Sequence, residues 1–141
     1  MHWDDSKYRE ITGKIIGCFY TVHKKLGPGF LEKAYHNALL IELKKYFDNV
    51  ESEKIYNVFY DNEIVATHKP DIIVENSVII ENKTVKELNN DHKAQIIAQL
   101  RATNILIGFL VNFSKIELDF ERYDNFNLLK TKGLITGNLS E

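Results

Sequence analysis

Apolar residues in the first segment, from about Asp5 to Leu26, fall at Ile11, Ile15, Phe19, Val22 and Leu26. These steps of four, four, three and four lay them along one face of an α-helix. Asp5 or Ser6 stands where a cap is needed, and Gly27-Pro28-Gly29 stops the helix. A second helix is predicted from about Phe30 to Tyr46. The period then changes. Val50 to Tyr60 is rich in β-branched and aromatic residues and ends at the turn signal Asp61-Asn62. Glu63 to Val74 follows as a second strand and, after a break at Glu75-Asn76-Ser77, Val78 to Val85 as a third. A third helix covers roughly Asp91 to Thr103, with Asn89 or Asn90 as its cap. Ile105 to Phe113 is nearly all apolar, the mark of a strand buried on both faces, and Leu118 to Tyr123 reads as one more. The pattern assigns nothing to the tail, residues 124–141. The order ααβββαββ predicts an α/β (α+β) fold, a mixed sheet flanked by helices, in one domain over residues 1–141.

Composition narrows the chemistry. A chain of 141 residues, 44% of them hydrophobic, can bury one real core but not two. Its single cysteine, Cys18, has no disulfide partner, and a Cys-rich zinc pattern is excluded. A thiol enzyme built on Cys18 is a weak reading, because the residue falls mid-helix beside Phe19. No apolar run reaches the ~18 residues of a membrane span, and Met1-His2-Trp3-Asp4-Asp5 does not open a signal peptide. The expected location is the cytoplasm, with no membrane partner. The 18 Lys/Arg against 20 Asp/Glu leave a net charge of −2, without the basic surplus usual in nucleic-acid binders.

The strongest chemical signal runs from Pro70-Asp71 to Glu81-Asn82-Lys83. Residues two apart on a strand share a face, so Glu81 and Lys83 point the same way. With Glu75-Asn76-Ser77 as the loop, Asp71 lies opposite Glu81 and Ile73 opposite Ile79. A two-residue loop, Asn76-Ser77, would send Asp71 to the other face. Two neighbouring carboxylates repel each other and are kept ionised together by a divalent cation, and Mg²⁺ prefers such hard oxygen ligands. A lysine beside them can orient water or stabilise charge developing on phosphate. A solvated, charged hairpin edge would carry the same residues with no site.

Two helices add polar residues to this picture. On the second helix Glu32 falls inside the apolar arc with Leu39 and Leu43, where a carboxylate must be paired, protonated or bound to a cation. Glu42 shares that arc, nearer the helix end. On the third helix His92, Gln95 and Gln99 form a stripe between an aliphatic face and a small-residue face. That stripe suits amides holding a water or a phosphate oxygen; it also suits ordinary boundary glutamines, with His92 as part of a cap.

The motif set resembles a known family. Gly29-Phe30-Leu31-Glu32-Lys33-Ala34-Tyr35 is similar to the G-x-x-E-x-x-Y signature of the GxxExxY proteins. Pro70-Asp71 with Glu81-Asn82-Lys83 is similar to the PD…(D/E)-x-K core of the nuclease superfamily to which that family is assigned. His92-Lys93-Ala94-Gln95 and Leu110-Val111-Asn112-Phe113 also look like family positions, so the resemblance spans roughly Ile11 to Tyr123. It implies a restriction-endonuclease-like fold and a Mg²⁺- or Mn²⁺-dependent phosphodiesterase acting on nucleic acid, expected to be DNA. It further implies Asp71, Glu81 and Glu32 as metal ligands, with the Asn82 carbonyl as another. Lys83 and Gln95 would be the catalytic side chains, Glu32 serving with them. Relatives often carry Q-x-x-x-Y on this helix; here Gln99 replaces the tyrosine, which leaves the metal ligands intact. Tyr35 is expected to pack near the acid cluster with its hydroxyl bonded to a neighbour.

The alternative is a non-catalytic interaction or regulatory module that keeps the scaffold. Cutting both strands in one visit would need two sites, hence a homodimer. The charge balance then reads differently. From His68 to Arg101 five basic residues (Lys69, Lys83, Lys86, Lys93, Arg101) face five acidic ones (Asp71, Glu75, Glu81, Glu87, Asp91). One divalent cation would take the net charge from −2 to 0, so the sequence predicts weak nucleic-acid binding without metal and a shallow salt dependence.

Overall fold

The computed structural model describes residues 3–133. A short 3₁₀ turn (Ser6–Tyr8) leads into α1 (Arg9–Leu26), followed by α2 (Glu32–Lys44). Then come β1 (Val50–Ser52), β2 (Tyr56–Tyr60), β3 (Glu63–His68), β4 (Ile72–Val74) and β5 (Val78–Lys83). Helix α3 (Asn90–Thr103), β6 (Ile107–Asn112), β7 (Asp119–Asp124) and α4 (Phe126–Thr131) complete the order. Five strands form a mixed sheet in the order β1-β4-β5-β6-β7, while β2 and β3 pair only with each other. β5 and β6 are parallel and the other neighbours antiparallel. A parallel pair needs a crossover, and α3 supplies it.

Two segments that read as single strands each break in two. Val50–Tyr60 breaks after Ser52, where Glu53 takes a left-handed conformation (φ 55°) and its N–H donates to the Asp71 carbonyl at 3.0 Å. Glu63–Val74 breaks at Lys69-Pro70-Asp71, because proline has no N–H for a ladder bond. The result is a β2–β3 hairpin outside the main sheet, with Phe59, Tyr60, Ile64 and Val65 exposed. The tail past Asp124 includes α4, capped where the Asn125 side chain accepts from the Leu128 N–H. Residues 134–141 of that tail lie outside the described residues.

The sheet has a core on each face. Ile15, Phe19, Val22, Leu39 and Leu43 of α1 and α2 pack on Ile72, Val78, Ile80, Ile107, Phe109 and Val111. The alternate residues Ile73 and Ile79 meet Leu100 and Ile105 on the α3 side. Every residue of β6 is therefore buried, as its apolar run predicts. Gly108 lets α3 close down, since a Cβ there would stand 2.9 Å from Ile96 Cδ1. Cys18 belongs to the first core, where burial pushes its thiol up to about 11. A thiol so far from ionisation at neutral pH is a packing group, as expected.

Helix ends differ in detail from the sequence reading. Neither Asp5 nor Ser6 caps α1 through its side chain. The Asp5 carboxylate instead joins Arg9 (3.1 Å) and Arg122 (2.9 Å), because β7 brings Arg122 beside it. Asn89 does cap α3: it accepts from the His92 N–H while His92 Nδ1 accepts from the Asn89 N–H, so His92 serves the cap. Among the described residues no helix is long and apolar enough to cross a membrane.

Candidate active site

The β4–β5 hairpin pairs Val74 with Val78, Ile73 with Ile79 and Ile72 with Ile80. This is the register of a three-residue loop, helped by left-handed Glu75 and Asn76 (both φ 51°). One step further Asp71 meets Glu81. The Asp71 N–H donates to Glu81 Oε2 (2.9 Å), and the Asn82 N–H donates to Asp71 Oδ2 (3.0 Å). Each carboxylate is thus fixed by the other strand's main chain. Pro70, immediately before, ends β3 and turns Asp71 into this position.

Glu81 is buried at 2% exposure, and Asp71 is half-buried beside it. Burial, then the proton-sharing contact and negative charge of Asp71, hold the Glu81 carboxyl far above its ordinary 4.5. The Asp71 N–H and the Gln99 side chain oppose the shift without cancelling it. Lys83 lies on the same strand face as Glu81, and its Nζ donates to Gln95 Oε1 at 3.2 Å. Asn82 faces the other way, its Nδ2 donating to the Glu32 carbonyl at the start of α2 (3.3 Å).

The structure brings Asp71, Glu81, Asn82, Lys83 and Gln95 together and leaves the Glu32 carboxylate apart. Among the described residues no three His, Cys, Asp or Glu side chains converge as a metal cluster. Glu32 is exposed rather than core-facing as the helical wheel places it. As the first residue of α2, it stands at the helix end, where the apolar arc has no packing partner. Glu32 still lines a cavity of about 500 Å³ with Asp71, Asn82 and His36. Glu42, the other carboxylate of that arc, is buried but paired with Lys45 (2.6 Å) and Lys25 (3.8 Å). Tyr35 is fully buried, stacked on Phe113 at 4.9 Å, and its hydroxyl donates to the Gly27 carbonyl. That bond staples the loop that leads to Glu32.

Sequence reasoning missed His36. It is buried, lines the cavity beside Asp71, and its Nε2 stands 2.8 Å from Ser52 Oγ. The available signal was its spacing, one helical turn after Glu32. The sequence groups Gln99 with His92 and Gln95 in one polar stripe, yet Gln99 alone of the three is fully buried.

The donor set suits a hard divalent cation. Two carboxylates sit together, and among the described residues no lysine bridges them. Among the same residues two buried side-chain polar atoms lack a partner, Asn82 Oδ1 and Gln99 Oε1. Gln99 Oε1 stands on the Glu81 side, where an open acceptor suits the hydrogens of a cation's water shell, while Asn82 Oδ1 opens on the opposite face near Glu32.

A family model described as the PD-(D/E)XK nuclease superfamily matches residues 9–123. No curated protein matches this chain. Among solved structures, one described as the crystal structure of SSO0001 is similar with a TM-score of 0.52 and 19% identity. That likeness covers 91% of this chain and 66% of the other, so this chain spans just under two thirds of its length. At that identity the likeness speaks for the fold. The family match covers the elements that build the acid pair, from α1 through β7, and it falls on a hairpin whose register sets Asp71 against Glu81 with Lys83 two residues on. By that match, this chain belongs to the PD-(D/E)XK nuclease superfamily.

Proposed function

We propose that this protein is a Mg²⁺- or Mn²⁺-dependent nuclease that hydrolyses phosphodiester bonds in DNA. The observation that carries the reading is the Asp71–Glu81 pair with Lys83 on the same face of one strand. Asp71, Glu81 and the Asn82 carbonyl would hold the cation, and Glu32, on the same cavity as Asp71, would add a further acidic group to its surroundings. When bound, the cation supplies Lewis-acid stabilisation of the charge that develops on the phosphate and makes water more acidic. Lys83 Nζ, held by Gln95, directs the attacking water and shields the phosphate's growing charge. A bound cation would favour the ionised form of Glu81, which burial and Asp71 oppose in its absence. A homodimer would place two such sites on a duplex for cleavage of both strands.

A Lys83→Ala variant tests this directly. Supercoiled plasmid and labelled single- and double-stranded oligonucleotides are incubated with Mg²⁺ or Mn²⁺. Loss of cleavage in a folded variant is expected, and cleavage as fast as the parent overturns the mechanism. One observation favours the rival reading of a non-catalytic module: Glu32 stands apart from the acid pair. Calorimetric titration with both metals separates the two, since the module would bind neither.

A further inference from the structure

Helix α3 presents Gln95 and Gln99 one turn apart, and β5 presents Glu81 and Lys83 two residues apart on the face that α3 covers. Four residues of helix rise about 6 Å and two residues of strand about 6.6 Å, so the two spacings match. Because β5 and β6 are parallel, the crossover helix runs back against β5. Gln95 therefore meets Lys83, and Gln99 meets Glu81. The first contact is the 3.2 Å bond from Lys83 Nζ to Gln95 Oε1. In the second the Gln99 side chain stands against the Glu81 carboxyl, both residues being buried at 3% and 2% exposure. Gln99 Oε1 has no partner there among the described residues. A long amide enclosed in an apolar helix–sheet interface loses water contacts and gains nothing by packing that Leu or Met would not supply. Its placement calls for a polar task.

We propose that Gln99 is a positioning residue for Glu81: its Nε2 steadies the carboxylate toward Asp71, and its open Oε1 accepts from a water that enters the site with the cation. This rests on the nuclease reading. It assigns Gln99 to the metal-binding carboxylate and Gln95 to Lys83, so the two glutamines serve different steps. Partners that orient metal ligands typically change metal affinity about 10- to 100-fold when removed.

The test compares Gln99→Met, which keeps length and shape, with Gln95→Met. Mn²⁺ affinity is measured by calorimetry without nucleic acid, and cleavage is measured at saturating Mn²⁺. Gln99→Met is expected to weaken Mn²⁺ binding about tenfold or more while the variant still folds cooperatively. Gln95→Met is expected to slow turnover with Mn²⁺ affinity unchanged. Parent-like Mn²⁺ affinity in Gln99→Met overturns the proposal. A metal-free double-mutant cycle in Tm between Gln99→Met and Glu81→Leu, which removes the acceptor, provides the independent check. Non-additive changes are expected, and additive ones overturn the proposed contact. If the parent binds no Mn²⁺ while the cycle is non-additive, the nuclease reading fails and the positioning of Glu81 by Gln99 stands.

Discussion

Replacing Glu81 with Gln should stabilise the metal-free protein at neutral pH while destroying its metal response. The folded pKa of Glu81 is raised from its ordinary 4.5 by burial and by Asp71, far enough to keep the proton at pH 7. A raised acid destabilises the fold as pH climbs from its unfolded pKa toward its folded one, because over that window the native state binds more protons. Between 4.5 and 7 the interval is about 2.5 pH units at about 1.4 kcal/mol each, an upper limit of roughly 3 kcal/mol. The amide introduced by Glu81→Gln has no charge to desolvate; its oxygen can keep the Asp71 N–H, and its NH₂ can donate to the Asp71 carboxylate. At about 2–4 °C per kcal/mol the gap corresponds to roughly 6–12 °C in Tm. Thermal melts in EDTA from about pH 5 to pH 8 check this, a range that spans most of the window. The parent should lose stability across the range beyond what Glu81→Gln loses, so the two curves diverge. Added Mn²⁺ should raise the parent's Tm and leave the variant's unchanged. A parent whose metal-free Tm gap to Glu81→Gln is the same at both ends of that range would refute the electrostatic reasoning.

Other outcomes follow from named contacts. Gly108→Val places side-chain atoms where Ile96 already stands within 2.9 Å of a bare Cβ, and should cost about 1–3 kcal/mol in denaturant unfolding. Asn125→Leu removes the Nδ2 bonds to the Leu100 and Ile105 carbonyls and the cap on α4, all at 6% exposure. A loss of roughly 2–4 kcal/mol by the same assay is expected. Among the described residues Lys69, Lys83 and Lys86 lack carboxylate partners, whereas Lys33 and Lys93 are paired with Glu53 and Glu121. Three phosphate contacts give a slope of about −3 for log K against log salt, and fluorescence anisotropy showing a slope of about −6 or steeper would contradict that count.

Much of the site was legible along the chain because it is local. Asp71, Glu81 and Lys83 sit on one hairpin, and strand alternation plus a three-residue loop suffice to put them on one face. Asn89 and His92 cap α3 for the same reason, as partners three residues apart. The same alternation sets Ile73 opposite Ile79, the pairing the hairpin adopts.

The remaining features depend on contacts between distant segments. The helical wheel shows which residues share an arc but not whether anything covers it; Glu32 and Glu42 share that arc, yet one is exposed and the other buried against lysines. Periodicity alone could not show that Val50–Tyr60 serves two sheets, because that break depends on Glu53 turning left-handed against the Asp71 carbonyl, whereas Pro70 marks the break in Glu63–Val74. Likewise, three polar residues in a stripe on α3 look alike in sequence. His92 goes to the local cap, and only the antiparallel match of the helix rise to that of β5 sends Gln95 to Lys83 and Gln99 to Glu81. Residue type and spacing along the chain already set the acid pair, its lysine and the helices around them. Which neighbour each polar side chain meets, and how far it leaves water, was settled only when the sheet and helices packed, because burial is a property of surfaces brought together from across the chain.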